Sequence, residues 1–200
     1  MRLVILILFA YLMGSIPTGF IITMKMLNID IRKHGSGNVG ATNAARKLGF
    51  KMGALVALAD ILKGFFPVLI AGFVLSNNYP ASAIYLVGIA AILGHDNSIF
   101  LKFDGGKGVA TTFGVMLGIS PPGFLIMALI WLGISFTLKI VSVASLIGAF
   151  SLPVTAYILS GDYYQVLFAA IIFLSIVVTH RGNIQRLLRG EENPINLNDS

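Results

Sequence analysis

Long apolar stretches separated by short polar segments constrain the fold of this chain more than any other feature. Of its 200 residues, 56% are hydrophobic and 11% are charged, and its mean hydropathy is +0.89. Soluble globular domains carry about 25% charged residues. The pattern predicts one integral membrane domain over residues 1–200, without room for a second domain. Because the chain has no cysteine, disulfides, thiolate metal sites and a cysteine nucleophile are excluded.

Seven apolar stretches suit membrane-spanning helices, which need about 20 residues each. The stretches cover residues 3–24, 53–75, 81–94, 109–119, 123–138, 143–160 and 163–179. Pro17 predicts a kink in the first stretch, and residues 76–80 predict a turn. The first stretch is interpreted as a retained span, since no small-residue cleavage site follows it. The predicted fold class is therefore an all-α integral membrane protein with seven transmembrane helices.

The third and fourth stretches are short for a bilayer. About 14 helical residues reach only ~21 Å, against a hydrocarbon core of about 30 Å. This favours a polar segment that dips into the membrane between them, where it must be buried in protein or line a wet cavity. Local thinning of the bilayer or different helix boundaries is the alternative.

The basic residues predict how the helices are oriented. If the first loop is cytoplasmic, twelve of the fourteen lysines and arginines lie inside. Those twelve are Lys25, Arg32, Lys33, Arg46, Lys47, Lys51, Lys102, Lys107, Lys139, Arg181, Arg186 and Arg189. Arg2 lies outside and Lys63 lies within a span. The positive-inside rule then predicts an outside N-terminus and a cytoplasmic C-terminus, so the net charge of +6 indicates membrane topology and not nucleic-acid binding.

Three polar segments have the composition of phosphate-binding loops, and all three lie on the predicted cytoplasmic face. Segment one is residues 35–46, segment two is residues 103–108 and segment three is residues 180–186. Each combines glycine, which leaves backbone N–H groups accessible, with arginine or lysine. That pairing suits a doubly charged oxyanion.

Segment one contains Gly35-x-Gly37-x-x-Gly40, which matches a dinucleotide-binding pattern. That pattern should follow a strand and open a βαβ unit, whereas here it follows a membrane span and a basic stretch. What remains is a set of donors for an anion: the three glycine amides, Ser36, Asn38, Asn43 and Arg46. A flexible loop between helices is the alternative.

Segment two resembles part of a Walker A loop. Leu101 replaces its first glycine and Gly108 replaces its Ser/Thr, so an NTPase is excluded. The glycines still lead into a predicted helix from Val109, whose free N–H groups and positive dipole end lie beside Lys107. A capped helix start with a lysine that reaches water is the alternative.

Segment three places His180 and Asn183 on one face of a helix, at i and i+3. A histidine at the end of a span is a candidate general base or phosphate donor. An amphipathic helix on anionic lipid would explain the arginines alone.

Asp60 and Lys63, also at i and i+3, predict an ion pair inside the second span. Mutual neutralisation of the two charges is favoured over a Lys63 that faces the anion site.

Two further groups of polar residues are weak signals. From physics alone, Ser142 and Ser145 near Lys139 are helix caps more often than catalytic groups. The three histidines His34, His95 and His180 show no metal-ligand spacing. We therefore expect neither a metal site nor a cofactor.

Taken together, the stretches GSGNVGATNAAR, FLKFDGGKGVATT and HRGNIQRLLRGEE resemble the three signature motifs of bacterial membrane glycerol-3-phosphate acyltransferases that use acyl-phosphate as donor. Their order and spacing match, as do the residues at 14–17, 59–64 and 94–95. The resemblance covers essentially the whole chain. One departure is residues 96–98, Asp-Asn-Ser, where the family has an aromatic and a small or proline residue.

The resemblance implies transfer of an acyl group from acyl-phosphate to the sn-1 hydroxyl of glycerol 3-phosphate. The products would be lysophosphatidate and phosphate, in the first step of bacterial phospholipid synthesis. It also implies a multi-pass protein of the inner (plasma) membrane that acts beside membrane lipid, with its active site on the cytoplasmic side. We expect a monomer that binds no nucleic acid.

Matching motif positions assigns substrate binding to Ser36, Gly37, Asn38, Thr42, Asn43, Arg46, Gly105, Gly106, Lys107 and Gly108.

The His-x4-Asp motif of other acyltransferases is absent, because Val39, Phe100 and Gln185 stand five residues after the histidines. An acyl-phosphate is already activated, so direct attack without a covalent intermediate needs only positioning and charge stabilisation. His180, oriented by Asn183, or a phosphate oxygen of the donor would take the proton. Ser142 is a third catalytic candidate, by family likeness.

The alternative function is a membrane transporter of a phosphorylated solute. Such proteins tend to place their sites near the membrane midplane, between two repeats with matched broken helices. This sequence has no evident internal repeat, and its polar segments share one face. The sequence therefore favours the enzyme.

Overall fold

The computed structural model describes residues 1–75 and 79–194, so residues 76–78 of the predicted turn and residues 195–200 lie outside the described part. All regular structure within those ranges is helical, as the fold-class prediction requires. The α-helices are α1 (Arg2–Ser15), α2 (Thr18–Leu27), α3 (Ala41–Leu48), α4 (Phe50–Leu75), α5 (Ala83–Asp96), α6 (Val109–Ile119), α7 (Pro121–Leu138), α8 (Val141–Leu159), α9 (Tyr163–Thr179) and α10 (Arg181–Leu188). Short 3₁₀ turns lie at Ile31–Lys33 and Ile99–Leu101.

Five helical stretches of the described chain are long and apolar enough to cross a membrane. They are Arg2–Leu27, Phe50–Leu75, Ala83–Leu101, Pro121–Leu138 and Val141–Leu159. A sixth is added if α9 and α10, bent by 63° at their junction, count as one span. The helix α6 is apolar but has only 11 residues. Each predicted stretch thus contains a helix, while the count of seven crossings and the sides of the termini stay predictions.

The first apolar stretch is broken at the proline. Helix α1 ends at Ser15 and α2 begins at Thr18, because Pro17 has no N–H group to continue the helical ladder. The carbonyl oxygen of Ile16 accepts a hydrogen bond from Nζ of Lys63 on α4 at 2.8 Å. The broken end is therefore fastened to the second span by a buried cation.

Helices α4 and α6 approach each other closely through two glycines. A Cβ at Gly64 would overlap the carbonyl oxygen of Thr111, and a Cβ at Gly114 would overlap that of Ile61. Small residues at such positions let helix backbones come together inside a membrane. The close contact holds α6 against α4 and so fixes where segment two, just before α6, can lie.

Buried apolar side chains of α1, α4, α5, α6, α7, α8 and α9 form one cluster, which includes Val68, Val115, Met127, Leu152 and Phe168. The outer surface is also apolar: Phe136 is 76% exposed and Ile158 is 70% exposed. Apolar exposure on that scale is what a lipid-facing surface requires. Residues of α3, α4, α6, α8 and α10, among others, line one large cavity.

Candidate active site

One cavity of about 900 Å³ is lined by residues from all three polar segments. From segment one come Gly35, Ser36, Asn38, Gly40, Ala41, Thr42, Asn43 and Arg46; from segment two Lys107 and Gly108; and from segment three His180, Asn183 and Arg186. Ser142, at the start of α8, also lines it. The structure brings together side chains that are far apart in the sequence.

A single buried side chain builds the loop of segment one. The side-chain amide of Asn43 donates to the carbonyl oxygens of Ile31, His34 and Asn38 at 3.3, 2.9 and 2.8 Å. Its Oδ1 accepts the backbone N–H of Ser36 at 3.0 Å. Asn43 is 2% exposed, so its amide holds the loop closed and leaves little capacity for a ligand.

The glycines and polar residues of this loop differ in what they present. Gly35 and Gly37 have φ of +60° and +75°, a conformation that glycine adopts without a steric penalty. Gly37 does not line the cavity, and its N–H donates to the carbonyl oxygen of His34 at 3.0 Å. Thr42 and Arg46 share one face of α3 at i and i+4 and both line the cavity.

Segment two docks on the end of α5. The N–H groups of Gly105 and Gly106 donate to the carbonyl oxygens of Asp96 and His95 at 3.1 and 2.9 Å. The last carbonyls of a helix lack partners within it, and here two of them take these amides. The free amides predicted for these two glycines are therefore engaged, and neither glycine lines the large cavity.

Lys107 extends from this docked loop into the cavity. Its Nζ donates to Oδ1 of Asn183 at 2.6 Å, which links segment two to segment three. Burial lowers the pKa of Lys107 to about 8; the Glu192 carboxylate opposes that shift, and the guanidinium groups of Arg186 and Arg46 add to it. The lysine remains a cation at neutral pH but is partly desolvated.

His180 lies one residue beyond α9, at the bend into α10. Its Nδ1 is 2.8 Å from the carbonyl oxygen of Ile176, so the neutral ring carries its proton on Nδ1 and keeps a lone pair on Nε2. Burial, with the Lys107 cation acting in the same direction, lowers the pKa of His180 to about 4. A neutral imidazole with a free Nε2 is the form that a general base requires.

Glu192 is a further polar residue of the site, which the residue patterns of the sequence did not predict. Its Oε1 accepts from Oγ of Ser142 at 2.8 Å and from Nδ2 of Asn183 at 2.5 Å. Its Oε2 accepts from Nε of Arg186 at 2.7 Å. Burial acts to raise the pKa of Glu192, but these hydrogen bonds outweigh it and hold that pKa below its usual value.

The only available signal for Glu192 was its place at the end of the third motif stretch, six residues after Arg186. Its neighbour Asn193 also reaches the site, because the carbonyl oxygen of Asn193 accepts from Arg46 at 3.1 Å. The segment after α10 therefore crosses the cavity from segment three to segment one.

The cavity lining also includes apolar and aromatic side chains. They are Ala57, Ile61, Val109, Ala110, Phe113, Trp131 and Val141. The rings of Phe113 and Trp131 pack edge to face with centroids 6.1 Å apart, and Nε1 of Trp131 donates to Oγ of Ser145 at 3.2 Å. The basic residues Lys107, Arg46 and Arg186 are hydrogen-bonded to Asn183, Asn193 and Glu192, and we call this group the basic end of the cavity. We call the apolar and aromatic residues its apolar wall.

The ion pair predicted in the second span is present. Nζ of Lys63 lies 2.9 Å from Oδ1 of Asp60, and both side chains are buried. Asp60 lines the large cavity whereas Lys63 does not. Within residues 1–75 and 79–194, no group of three or more His, Cys, Asp or Glu side chains is placed to hold a metal ion.

The family model described as "Glycerol-3-phosphate acyltransferase" matches residues 4–190. The chain belongs to the glycerol-3-phosphate acyltransferase family. Among its relatives in this family, the glycerol-3-phosphate acyltransferase of Aquifex aeolicus is 44% identical over 193 residues, which cover 96% of this chain and 98% of that protein. Glycerol-3-phosphate acyltransferase 2 of Thermotoga maritima is 43% identical over 187 residues, which cover 94% and 93%.

Solved structures of the acyltransferase family share the fold. The crystal structure of PlsY (YgiH), described as an integral membrane glycerol 3-phosphate acyltransferase in its glycerol 3-phosphate form, matches with a TM-score of 0.91 and 40% identity, over 98% of this chain and 96% of that one. Its lysophosphatidic acid form matches with a TM-score of 0.89 and 39% identity, over 98% and 97%. The all-helical arrangement found here is therefore that of a known integral membrane protein.

Proposed function

We propose that this chain transfers an acyl group from acyl-phosphate to the sn-1 hydroxyl of glycerol 3-phosphate, which yields 1-acylglycerol 3-phosphate (lysophosphatidate) and phosphate. Family membership supports the acyltransferase activity. The choice of substrates rests on the mixed lining of the cavity, which combines basic groups with apolar side chains. An acyl donor that ends in phosphate needs both sides at once, and so does the product.

The basic end suits the two phosphate groups of the substrates. Lys107, Arg46 and Arg186 line it as cations, and Ser36, on the loop of segment one, adds a hydroxyl. Charge-assisted hydrogen bonds from such groups are stronger than neutral ones. We assign these four residues to the phosphates, with Thr42 and Asn38 as further polar contacts.

The apolar wall suits the acyl chain. Phe113 and Trp131 sit on α6 and α7, beside Val109 and Ala110 at the start of α6. A chain lying there would place its carbonyl carbon next to the loop that carries Lys107. That arrangement brings the activated carbonyl to the phosphate-binding end without a second cavity.

The reaction needs one bond to form and one to break. The sn-1 hydroxyl oxygen attacks the acyl carbonyl carbon, and the bond from that carbon to the phosphate oxygen then breaks, so that phosphate leaves with the electron pair. Nε2 of His180 takes the hydroxyl proton, or a phosphate oxygen of the donor takes it. Asn183, fixed between Lys107 and Glu192, orients the hydroxyl; Ser142 is held by Glu192 and supports the same end.

The setting of the enzyme is part of the proposal. The chain would act as a monomeric, single-domain protein of the bacterial inner membrane, with the cavity on the cytoplasmic side, at the first step of phospholipid synthesis. No cofactor is needed, because the mixed anhydride of the donor already supplies an activated acyl group.

The test is an assay of the purified protein in lipidic cubic phase or detergent, with lysophosphatidate and released phosphate both measured. Product should require glycerol 3-phosphate and acyl-phosphate together. Product from acyl-CoA, and none from acyl-phosphate, would contradict the donor. No product from either donor, with uptake of glycerol 3-phosphate into proteoliposomes, would establish the transporter instead.

The proton acceptor is tested separately. His180→Gln keeps a hydrogen-bonding side chain but removes the basic nitrogen, and general base catalysis is worth roughly 10²–10⁴ in rate. We expect kcat to fall by about that factor while the KM for glycerol 3-phosphate changes little. A kcat within about tenfold of the wild-type value would assign the proton to the phosphate of the donor.

A further inference from the structure

A buried polar cluster joins three helices behind the cavity. Oδ1 of Asp60 on α4 accepts from Oγ1 of Thr18 on α2 at 2.5 Å and from Nζ of Lys63 at 2.9 Å. The same oxygen lies 3.6 Å from Nδ1 of His95 on α5. The side chains of Asp60, Lys63 and His95 are all at most 6% exposed. Oδ1 of Asp60 thus has neighbouring side chains from α2, α4 and α5.

The charged groups of this cluster have their partners inside the protein. Lys63 pairs with Asp60 and donates to the carbonyl oxygen of Ile16 at the break between α1 and α2. Asp60 is therefore held by a cation and a hydroxyl from two other directions. The 3.6 Å from this carboxylate oxygen to Nδ1 of His95 is longer than a hydrogen bond, and Nδ1 is buried without a hydrogen-bond partner among the described residues. Asp60 therefore acts on the ring through its negative charge and its proximity.

The ring of His95 fills the space that a side chain at residue 106 would need. A Cβ on Gly106 would overlap Nε2 of His95, with Cε1 and Cδ2 at 2.7 and 2.8 Å. The carbonyl oxygen of the same histidine accepts the N–H of Gly106. Ring and backbone of His95 together support the loop, and the next residue along the chain is Lys107.

His95 also borders the reaction space. It lines the large cavity together with Asp60 and Lys107. None of the steps derived for the proposed reaction uses His95 or Asp60. The proposed reaction therefore does not explain why both side chains are buried close together or why the ring of His95 packs against Gly106.

We propose that His95, which lies beside Asp60 and packs against Gly106, is a positioning residue for acyl transfer: its ring supports the loop at residues 105–108 and so determines how far Lys107 reaches toward the substrate phosphate. This inference rests on the proposed function. A displacement of about 1 Å in a substrate-holding group can lower a rate 10²-fold. The loop has no side chain of its own at Gly105 or Gly106 to resist such a displacement, so the ring of His95 supplies that support.

A double-mutant cycle tests the contact. Gly106→Ala adds a methyl group against the ring, and we expect kcat/KM to fall at least about tenfold, mainly through a higher KM for glycerol 3-phosphate. His95→Asn keeps an amide for Asp60 but removes Nε2 and Cε1, the two atoms nearest to the methyl group. The double variant should then be no worse than His95→Asn alone, because the methyl group occupies the vacated space. Losses that multiply would overturn the proposal, since uncoupled sites add in free energy.

Gly105→Ala is the matched control. A Cβ there would overlap the carbonyl oxygen of His95, and that of Asp96 lies 2.6 Å away, so the obstacle is backbone. His95→Asn should not rescue Gly105→Ala. Equal rescue of both glycine variants would show that the ring has no specific contact with Gly106, and the proposal would fail.

Two measurements separate positioning from stability. Thermal unfolding midpoints of the variants report the cost of each overlap in stability. The dissociation constant of glycerol 3-phosphate, from calorimetric titration without donor at a temperature where every variant is folded, should follow the rescue pattern. If the midpoints alone account for the lost activity, the role of His95 is structural and the inference is wrong. A wild-type protein that is inactive with acyl-phosphate would refute the proposed function, while the titration cycle would still report on His95.

Discussion

The two glycine loops of the cavity look alike in sequence and are built in opposite ways. Loop one, residues 35–40, is closed by the side chain of Asn43, which reaches three of its neighbouring carbonyls from within. Loop two, residues 105–108, is held from outside, by the last carbonyls of α5 and the ring of His95. In loop one Gly35 and Gly37 adopt positive φ, whereas Gly106 of loop two is needed because a Cβ there would overlap the ring of His95.

This difference decides what each loop has left for a ligand. Loop one keeps the Ser36 hydroxyl at the cavity, whereas the amides of Gly105 and Gly106 are already bonded. Loop two therefore contributes chiefly one side chain, the Lys107 ammonium group. Variants that change each loop at its main interacting side chain test this difference between the two loops.

The largest effect is expected at Lys107. Lys107→Met keeps the length of the side chain but removes the cation, and loss of one preorganised donor lowers rates by about 10²–10³. We expect a fall of that size in kcat/KM, measured with both substrates varied. Lys107→Arg should recover only part of it, because a planar guanidinium group replaces a compact ammonium. Equal losses for Ser36→Ala and Lys107→Met would contradict the different roles of the two loops.

A smaller effect, in stability more than in rate, is expected at Asn43. Asn43→Ala removes the donor of the Asn38 carbonyl oxygen and the acceptor of the Ser36 N–H, and each unsatisfied buried group costs about 1–3 kcal/mol. The thermal unfolding midpoint should fall clearly. Asn38→Ala is the matched comparison, since the Asn38 side chain accepts only one bond, from the N–H of Gly40 at 2.9 Å. A raised KM with an unchanged midpoint would make Asn43 a ligand-binding residue instead.

The next effect is a pH limb that belongs to loop two. The pKa of Lys107 is lowered to about 8, so the ammonium cation is present below that pH and is lost as pH rises through it. We expect kcat/KM to fall about tenfold for each pH unit above the pKa, and this fall to disappear in Lys107→Arg, which stays charged.

The pKa of His180 at about 4 predicts that this ring causes no change of kcat/KM between pH 5 and 8. A midpoint near 6.5 in the pH profile that disappears in His180→Gln would contradict this assignment.

The smallest effect is expected just before loop one. Asp30 accepts from the backbone N–H and from Nε of Arg32 at 3.1 and 2.9 Å, and pairs with its guanidinium group at 2.8 Å. The hydrogen bond from Arg32 is the main cause that lowers the pKa of Asp30 to about 2. Exposed ion pairs contribute little, so Asp30→Asn should leave kcat/KM and the unfolding midpoint unchanged. A loss similar to that of Asn43→Ala would show that loop one depends on this turn.

Hydropathy and local chemistry predicted much of this arrangement. The apolar stretches locate the helices, Pro17 marks the break between α1 and α2, and the i, i+3 spacing of Asp60 and Lys63 gives a real ion pair. The motif segments supplied most polar groups that line the cavity. These signals are local, because each depends on residues within one or two helical turns.

What the sequence could not predict depends on contacts between distant elements. Whether the amides of Gly105 and Gly106 are free depends on where α5 ends relative to loop two. The amino-acid composition of the loop does not contain that information. The partners of Glu192 lie on α8 and α10, and the ring of His95 meets α4 and loop two at once. Glycine content shows that a backbone can approach something closely, but not what it approaches.

Because the cavity is lined by both apolar and basic residues, the proposed enzyme takes one substrate from the lipid phase and the other from water. Each buried CH₂ favours the bilayer by about 0.8 kcal/mol, so a long-chain donor and its acylated product stay in the lipid phase, whereas glycerol 3-phosphate and phosphate stay in water. Turnover then depends on the mole fraction of donor within the membrane as well as on a molar concentration in solution. Diluting the donor with inert lipid, at constant total amount, should slow the reaction as competitive dilution in two dimensions does, and the two products leave the site into different phases.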